Sequence, residues 1–384
     1  MNISIATPVV SIAWLYEHLN AENLVVLDGT INKVFDVSQN QILHTRFFDI
    51  KKKFSDASNP FPNAFPSKEQ FEKEARALGI SGSHAIVVYD DKGMYSSARV
   101  WWLFKAFGYD NIAVLNGGFP AWEEASYPIE SMREYQGPEG DFRASLQSEH
   151  MMFFEDVKSA SKSNTHTIID ARSADRFNCE TPEPRAGLRM GTIPGSLNLP
   201  FTDLLEGGLL KPKTELEKAF QELSTKEDAV IFSCGSGITA CILALGAEIS
   251  GYKNISVYDG SWTEYGSLTT GDMENPKTWT KDELLAYILI YVSNLDLNES
   301  GKETAYILSR VDKEVYERVR RQFKKDSDYQ NIQKIIQAVK AHNYYRNDLA
   351  DLFADIKLIA FADGDYDLME RMLYRHLKKI LKDG

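Results

Sequence analysis

The sequence predicts an α/β fold that occurs twice in the chain and is followed by an all-α segment. Three observations lead to this prediction. Short apolar runs typical of buried strands alternate with helical patterns over the first two-thirds of the 384 residues. The order of these elements repeats, and the strand pattern ends before residue 280. Strands that alternate with helices favour a mainly parallel sheet covered by helices on both faces.

The internal repeat sets the domain boundaries. In the first copy we predict strands at 24–28, 85–89 and 112–115, and helices at 14–19, 68–78 and 96–107. The second copy matches these strands at 167–170, 229–233 and 255–258. A repeat of this length indicates two copies of one α/β unit. We therefore predict domains over residues 1–143, 150–270 and 278–384, of which the last is helical.

The segment 229–240 carries the candidate chemistry. Its first five residues predict a buried strand and its last three begin a helix, so Cys234 lies where the strand ends. Gly235 and Gly237 let the loop turn sharply, with positive φ available at both. The N–H groups of the loop and the positive end of the helix converge there and favour a nucleophilic thiolate. The alternative, a small buried hydrophobic residue, does not explain the flanking glycines.

The composition of this loop excludes one class of enzyme and distinguishes the two copies. Cysteine-dependent phosphatases grip phosphate with an arginine at the end of such a loop. Residues 235–240 contain neither arginine nor lysine, so a phosphatase is the least favoured interpretation. In the first copy, Asp90 holds the position of Cys234. A carboxylate cannot carry sulfur, so we predict a non-catalytic first domain in which Asp90 caps its own loop.

Charge and cysteine content limit the partners. The net charge of −12 argues against nucleic acid or an anionic membrane as the main partner. No apolar run reaches the length of a membrane-spanning helix, and the first residues lack the pattern of a signal peptide. Three cysteines, an odd and low number, predict a reducing, cytoplasmic setting.

A proline-rich segment between residues 172 and 200 carries arginines, among them Arg176 and Arg185. Prolines make such a segment rigid, and arginines held in place can bind a small carboxylate in a bidentate manner. The alternative for each arginine is solvated surface charge.

The C-terminal segment predicts helices over 282–293, 302–324, 332–341, 347–361 and 368–381. Its acidic turn at 363–367 looks like a calcium loop but fails the EF-hand template, because Leu368 holds the glycine position and Tyr374 the final glutamate position. A helix cap is the better interpretation, and we predict no metal site.

Four motifs together resemble one known family. They are Cys-Gly-Ser-Gly-Ile-Thr-Ala at 234–240, Glu-Pro-Arg at 183–185, Tyr-Asp-Gly-Ser-Trp at 258–262 and Ser-Ala-Arg-Val-Trp-Trp at 97–102. Residues 1 to about 270 thereby resemble the tandem-rhodanese sulfurtransferases of the 3-mercaptopyruvate type. The resemblance implies two tandem rhodanese-like domains with parallel sheets flanked by helices, plus an all-α C-terminal domain. That last domain is weakly similar to TerB-type helical modules, which implies a protein-contact role.

The resemblance also implies roles for individual residues. Cys234 matches the nucleophile that accepts sulfur, and Ser236 matches a serine of a proton relay. The substrate-binding positions of the family fall on residues Arg176, Arg185, Gly235, Gly237, Ile238 and Thr239. The family's relay histidine is replaced by Gln41, unless His44 substitutes for it.

The implied reaction moves sulfur from 3-mercaptopyruvate to a thiol such as thioredoxin or glutathione, or to cyanide, without a metal or an organic cofactor. Two alternatives stay open. One is a thiosulfate:cyanide sulfurtransferase, which the neutral loop makes less favourable. The other is a non-catalytic scaffold that acts through the helical tail.

Overall fold

A computed structural model describes residues 2–163, 165–269, 273, 275–294, 301–342 and 349–360. The chain forms two compact units. The first comprises the chain up to Ala174 together with Ile193–Tyr265, and contains both α/β copies. The second comprises Asp175–Thr192 and the chain from Gly266 onward. The predicted limits of the three domains stay predictions.

The first copy is a parallel sheet with helices packed against it. Its strands are β1 (Val9–Val10), β2 (Leu24–Asp28), β3 (Asn40–Ile42), β4 (Thr45–Phe47), β5 (Ala85–Tyr89), β6 (Ile112–Leu115) and β7 (Ile129–Ser131). Its helices are α1 (Ile12–His18), α2 (Lys68–Ala77), α3 (Ser97–Ala106) and α4 (Gly118–Glu124). Five strands pair in the order β1-β6-β5-β2-β4, all parallel, and β3 pairs with β7 in a separate antiparallel ladder.

The second copy repeats this architecture. Its strands are β8 (Met151–Met152), β9 (Thr167–Asp170), β10 (Leu197–Asn198), β11 (Leu205–Glu206), β12 (Leu209–Leu210), β13 (Val230–Ser233) and β14 (Ile255–Tyr258). Its helices are α5 (Phe154–Ser163), α6 (Ala174–Phe177), α7 (Lys213–Gln221), α8 (Ala240–Ile249) and α9 (Ser261–Leu268). The parallel order β8-β14-β13-β9-β10 matches that of the first sheet strand for strand.

The strand register confirms that Asp90 and Cys234 are equivalent. In the first sheet, Asp28 on β2 pairs with the last residue of β5, and Asp90 follows. In the second sheet, Asp170 on β9 pairs with the last residue of β13, and Cys234 follows. Both residues therefore lie just beyond the carboxyl end of the central strand, where parallel sheets bind ligands.

The two copies share one core. Helix α3 packs against α8, and one cluster of buried apolar residues runs through both copies. Eight of the ten residues of α8 are buried, so this helix is apolar on nearly all sides, as expected for a helix enclosed by protein. The loop before α8 is thus anchored at the junction of the two copies.

The described C-terminal residues are helical, with α10 (Lys281–Ser293), α11 (Gly301–Arg310), α12 (Lys313–Phe323), α13 (Asp328–Ala341) and α14 (Leu349–Ala360). The prediction of one helix over 302–324 is wrong. The chain breaks before α12, where Asp312 adopts the extended backbone of a helix N-cap. The predicted helix at 368–381 and the acidic turn at 363–367 lie outside the described residues. None of the described helices is both long and apolar enough to cross a membrane.

Candidate active site

Cys234 lies at the end of β13 with only 1% of its surface exposed. Helix α8 begins at Ala240, two residues later than predicted. The reason is the left-handed backbone of Gly237, whose φ is +75°. Helical hydrogen bonding starts only beyond this residue, with the Cys241 N–H donating to the Ile238 carbonyl at 3.2 Å. Of the two glycines for which positive φ is available, Gly237 alone adopts it in this loop.

Ser261 closes the loop around Cys234, a role that sequence reasoning missed. Its Oγ accepts the N–H of Cys234 at 3.0 Å and that of Gly237 at 3.2 Å. Its hydroxyl proton faces two acceptors, the Tyr258 carbonyl at 2.9 Å and the Sγ of Cys234 at 3.7 Å. The hydroxyl can therefore stabilise charge on the sulfur. The Tyr-Asp-Gly-Ser-Trp motif at 258–262 was the available signal.

The other N–H groups of the loop remain available. Among the residues that the structure describes, the N–H groups of Gly235, Ser236, Ile238 and Thr239 donate to no partner. The side chain of Ile238 packs in the core, so its N–H is the group it can offer a ligand. Successive free N–H groups at a strand-to-helix turn form an anion-binding cradle.

The equivalent turn of the first copy surrounds a carboxylate, that of Asp90. The Oδ2 of Asp90 accepts the N–H groups of residues 95–97 at 2.8–2.9 Å and the Ser97 hydroxyl at 2.6 Å. Its Oδ1 accepts the Lys92 N–H at 2.9 Å. The prediction that Asp90 caps its own loop is confirmed. The same turn thus surrounds an anion in the first copy and places a cysteine at the equivalent position in the second.

Arg99, on α3 of the first copy, reaches the loop that follows Cys234. Its Nη1 donates to the Gly237 carbonyl at 3.3 Å, and its Nη2 donates to Asp259 Oδ1 at 2.6 Å and to the Asn63 carbonyl at 2.9 Å. The side chain is fully buried. Burial lowers the pKa of Arg99, but the neighbouring carboxylate of Asp259 outweighs it, so the pKa is raised overall. The loop is therefore held by a permanent cation.

Comparison with known proteins fits this architecture. The profile of the rhodanese-like domain matches residues 11–125 and 154–268. Thiosulfate/3-mercaptopyruvate sulfurtransferase 1, mitochondrial, of Arabidopsis thaliana is 36% identical over 295 residues, which cover 69% of this chain and 78% of that protein. The 3-mercaptopyruvate sulfurtransferase of Escherichia coli K12 is 36% identical over 263 residues, covering 66% and 93%. The chain belongs to the rhodanese-like sulfurtransferases.

A solved structure supports the same conclusion for this sulfurtransferase. The crystal structure of SseA from Escherichia coli, described as a 3-mercaptopyruvate sulfotransferase, matches with a TM-score of 0.60 at 34% identity. The match covers 67% of this chain and 99% of SseA. The family profile ends at residue 268, so the C-terminal helices lie beyond it.

The candidate substrate arginines of this sulfurtransferase lie in the second compact unit and differ in their surroundings. The Nη2 of Arg176 donates to the buried carboxylate of Glu183 at 2.5 Å. Arg185 is exposed, and its guanidinium has no partner among the described residues. Of the two, Arg185 is the cation that an incoming carboxylate can reach without displacing a protein group.

A third arginine anchors the same segment. The buried Arg189 donates from Nε to the carbonyls of Gly266 at 3.0 Å and Thr269 at 3.2 Å, and from Nη2 to Thr269 Oγ1 at 2.8 Å. His342, directly after α13, lies close enough to Arg189 for the guanidinium charge to affect the pKa of its imidazole. Burial lowers the pKa of His342 to about 4, and the charge of Arg189 acts in the same direction. The segment 175–192 is thus tied to the chain beyond residue 266.

Among the described residues, neither Gln41 nor His44 hydrogen-bonds to Ser236. The Nε2 of Gln41 donates to Glu130 Oε1 at 3.0 Å, the backbone N–H of His44 donates to the same oxygen at 2.8 Å, and the His44 ring lies 3.4 Å from Arg133. Among the described residues, the side chain that contacts Ser236 Oγ is the carboxamide of Asn63, at 3.2 Å. No sequence motif pointed to Asn63.

We predict that Gly237→Ala damages both folding and turnover. A Cβ at Gly237 would lie 2.4 Å from the backbone oxygen of Asp259, in a backbone conformation that already disfavours side chains. We expect a loss of about 2–4 kcal/mol in the free energy of unfolding and at least a tenfold lower kcat. Chemical denaturation and steady-state kinetics measure the two effects.

Gly207→Ala is the matched control, because Gly207 has φ +57° but no atom within 4 Å of an added Cβ. It carries the backbone strain without the collision. Equal losses in the two variants would contradict a tight loop around Gly237.

Proposed function

We propose that this enzyme takes sulfur from 3-mercaptopyruvate. The thiolate of Cys234 attacks the sulfur of the donor, and the carbon–sulfur bond breaks. Its electron pair leaves with the carbon as the enolate of pyruvate, which takes up a proton and departs. The transferred sulfur stays on Cys234 as a persulfide, whose charge the loop N–H groups stabilise. A second thiol then attacks the outer sulfur and restores the Cys234 thiolate.

One observation carries this proposal: the cradle at Cys234 offers N–H groups, and no residue of the loop itself carries a charged side chain. Residues 235–239 are all uncharged, and the N–H groups of Gly235, Ser236, Ile238 and Thr239 are free among the described residues. Such a cradle suits a single negative charge on sulfur. A dianionic donor such as thiosulfate would favour lysine or arginine in the loop.

The donor preference is tested by steady-state kinetics with 3-mercaptopyruvate and with thiosulfate, each with cyanide and with a thiol as acceptor. We expect the higher kcat/KM with 3-mercaptopyruvate. The Arabidopsis relative is named for both donors, so a measurable rate with thiosulfate is compatible with the proposal. A higher kcat/KM for thiosulfate would reverse the assignment.

We further propose that Arg185 and Arg176 bind the carboxylate and the carbonyl of the donor. Because Arg176 is already engaged by Glu183, we expect the larger change in KM at Arg185. Arg185→Gln should raise the KM for 3-mercaptopyruvate about tenfold and leave kcat nearly unchanged, which is the loss of one exposed charge-assisted contact.

Two further variants make this test specific. Arg133→Gln removes an exposed arginine elsewhere and should leave KM unchanged. Glu183→Gln frees Arg176 from its carboxylate and should not raise KM as Arg185→Gln does. An unchanged KM in Arg185→Gln would remove this residue from the donor site.

The acceptor and the tail complete the proposal. We propose a thiol acceptor such as thioredoxin or glutathione and a cytoplasmic location, which the low and odd number of cysteines supports. We also propose that the C-terminal helices contact a protein partner. Three exposed apolar residues support that role, namely Leu308, Tyr329 and Leu358. A scaffold without catalysis would keep its biological role in Cys234→Ser, which an assay of the partner complex can examine.

A further inference from the structure

We propose that Asn63 of the non-catalytic first copy is a positioning residue of the sulfur-transfer site. In this role it fixes Ser236 of the catalytic loop and offers its amide oxygen to the thiol that enters. The inference rests on the proposed function, since it assigns a partner to Ser236 within the same site.

The backbone of Asn63 is fixed from the first copy. The residue lies in the loop between β4 and α2 and has φ +59°, a left-handed conformation that asparagine tolerates better than most residues. Its carbonyl accepts the Nη2 of the buried Arg99 at 2.9 Å. The same guanidinium holds the catalytic loop at the Gly237 carbonyl. Asn63 and the loop are therefore positioned against one shared cation.

The side chain of Asn63 makes two contacts with one residue of the loop. Its Nδ2 donates to the carbonyl oxygen of Ser236 at 3.2 Å and to the Oγ of Ser236 at 3.2 Å. A carbonyl oxygen can only accept a hydrogen bond, so the amide nitrogen must face Ser236. The orientation of the carboxamide is thereby determined by the contact itself.

The amide oxygen of Asn63 is left without a donor. Only 8% of the residue is exposed, and Oδ1 is buried with no hydrogen-bond partner among the described residues. Buried carbonyl oxygens are nearly always satisfied, so an exception beside a reactive loop points to a ligand. The 3-mercaptopyruvate donor carries a carboxylate, a ketone and one S–H. Its thiol is therefore the group that can donate to Oδ1.

The contact also determines what Ser236 can do. Because its Oγ accepts a hydrogen bond from Asn63, its hydroxyl proton points elsewhere and is available to the reacting sulfur. A carboxamide does not titrate, so no base touches Ser236 through this contact. The side chain of Gln41 donates to Glu130 instead, and the ring of His44 lies 3.4 Å from Arg133. The site therefore orients Ser236 without a histidine relay. The pH profile of kcat for wild type should show no inflection from an imidazole bonded to Ser236.

The test compares Asn63→Gly and Asn63→His in the full chain. Glycine removes the side chain but keeps the left-handed backbone without strain. We expect Asn63→Gly to lower kcat about tenfold with an unchanged melting temperature, the effect of one lost positioning contact. Asn63→His should introduce a new inflection near pH 6.5 in the profile of kcat, the range in which imidazole titrates.

A double variant separates positioning from a direct structural role. If Asn63 affects turnover through Ser236, the kcat of Asn63→Gly together with Ser236→Ala should be no lower than that of Ser236→Ala alone, and loss of the contact between Oδ1 and the donor thiol should appear in KM. Multiplicative losses in kcat in the double variant would overturn the inference. A wild-type kcat and pH profile in both single variants would also overturn it.

The proposed donor can be wrong while the inference about Asn63 holds, and the two are tested separately. If wild type forms a persulfide only with thiosulfate, the donor proposal is wrong and the same variants are compared with thiosulfate. Asn63 variants that match wild type with the donor that works would then reject the inference on its own.

Discussion

Cys234→Ser is expected to abolish persulfide formation and to lower kcat/KM by at least about a thousandfold, as removal of a covalent nucleophile does. The serine should keep the fold. Cys234 is buried, and its N–H bond to Ser261 does not depend on the sulfur. Intact-mass spectrometry under non-reducing conditions, after mixing with 3-mercaptopyruvate, should show one added sulfur in wild type only. Release of pyruvate should stop in parallel.

Cys241→Ala provides the matched control. Cys241 is buried in the first turn of α8, and burial raises its pKa to about 12, so its thiol stays protonated at neutral pH. We expect this variant to gain one sulfur like wild type. A persulfide that survives Cys234→Ser and disappears in Cys241→Ala would move the nucleophile to Cys241 and overturn the proposed mechanism.

Arg99→Met is expected to produce the largest loss of stability. It leaves the carboxylate of Asp259 buried without its cation, and breaking such a pair costs about 3–5 kcal/mol. It also removes the donor that holds the carbonyls of Gly237 and Asn63. We therefore expect a lower free energy of unfolding, measured by urea denaturation, together with a slower rate of persulfide formation in the folded fraction.

The double variant Arg99→Met with Asp259→Asn tests whether charge is the cause. Removing both charges eliminates the uncompensated carboxylate, so stability should recover by part of the loss. Turnover should not recover with it, because the loop carbonyl still lacks its donor. If the losses in free energy of the two single variants simply add, the ion pair does not couple the two copies.

Features of the fold that depend on residues close together in the sequence were predicted correctly. Strands β2, β5, β6 and β9 begin and end where their apolar runs do, and the repeated pattern identified Asp90 as the counterpart of Cys234. The position of Cys234, the candidate nucleophile, at the end of a strand was predicted from the strand, the two glycines and the helix. These features lie within one segment of twelve residues, 229–240.

The rest of the site depends on contacts between distant parts of the chain. Ser261 meets Cys234 across 27 positions, Arg99 meets Gly237 across 138, and Asn63 meets Ser236 across 173. Each is a polar residue whose type fits many surface roles, so residue type alone does not indicate its partner. Ser261 reaches the loop from the start of α9, and the packing of the first copy against the second, with α3 against α8, brings Arg99 and Asn63 to the same loop.

The burial of Arg189 has a consequence for how this enzyme can be divided. The segment that carries Arg176 and Arg185 belongs to the same compact unit as the helices beyond residue 280. A gene shortened to the two rhodanese copies would remove most of that unit and expose a guanidinium that is now enclosed. We therefore expect the shortened enzyme to bind the sulfur donor more weakly than the full chain does, with a higher KM. In evolutionary terms, the helical extension is no longer a detachable module, because it shares one compact unit with the arginine-bearing segment 175–192.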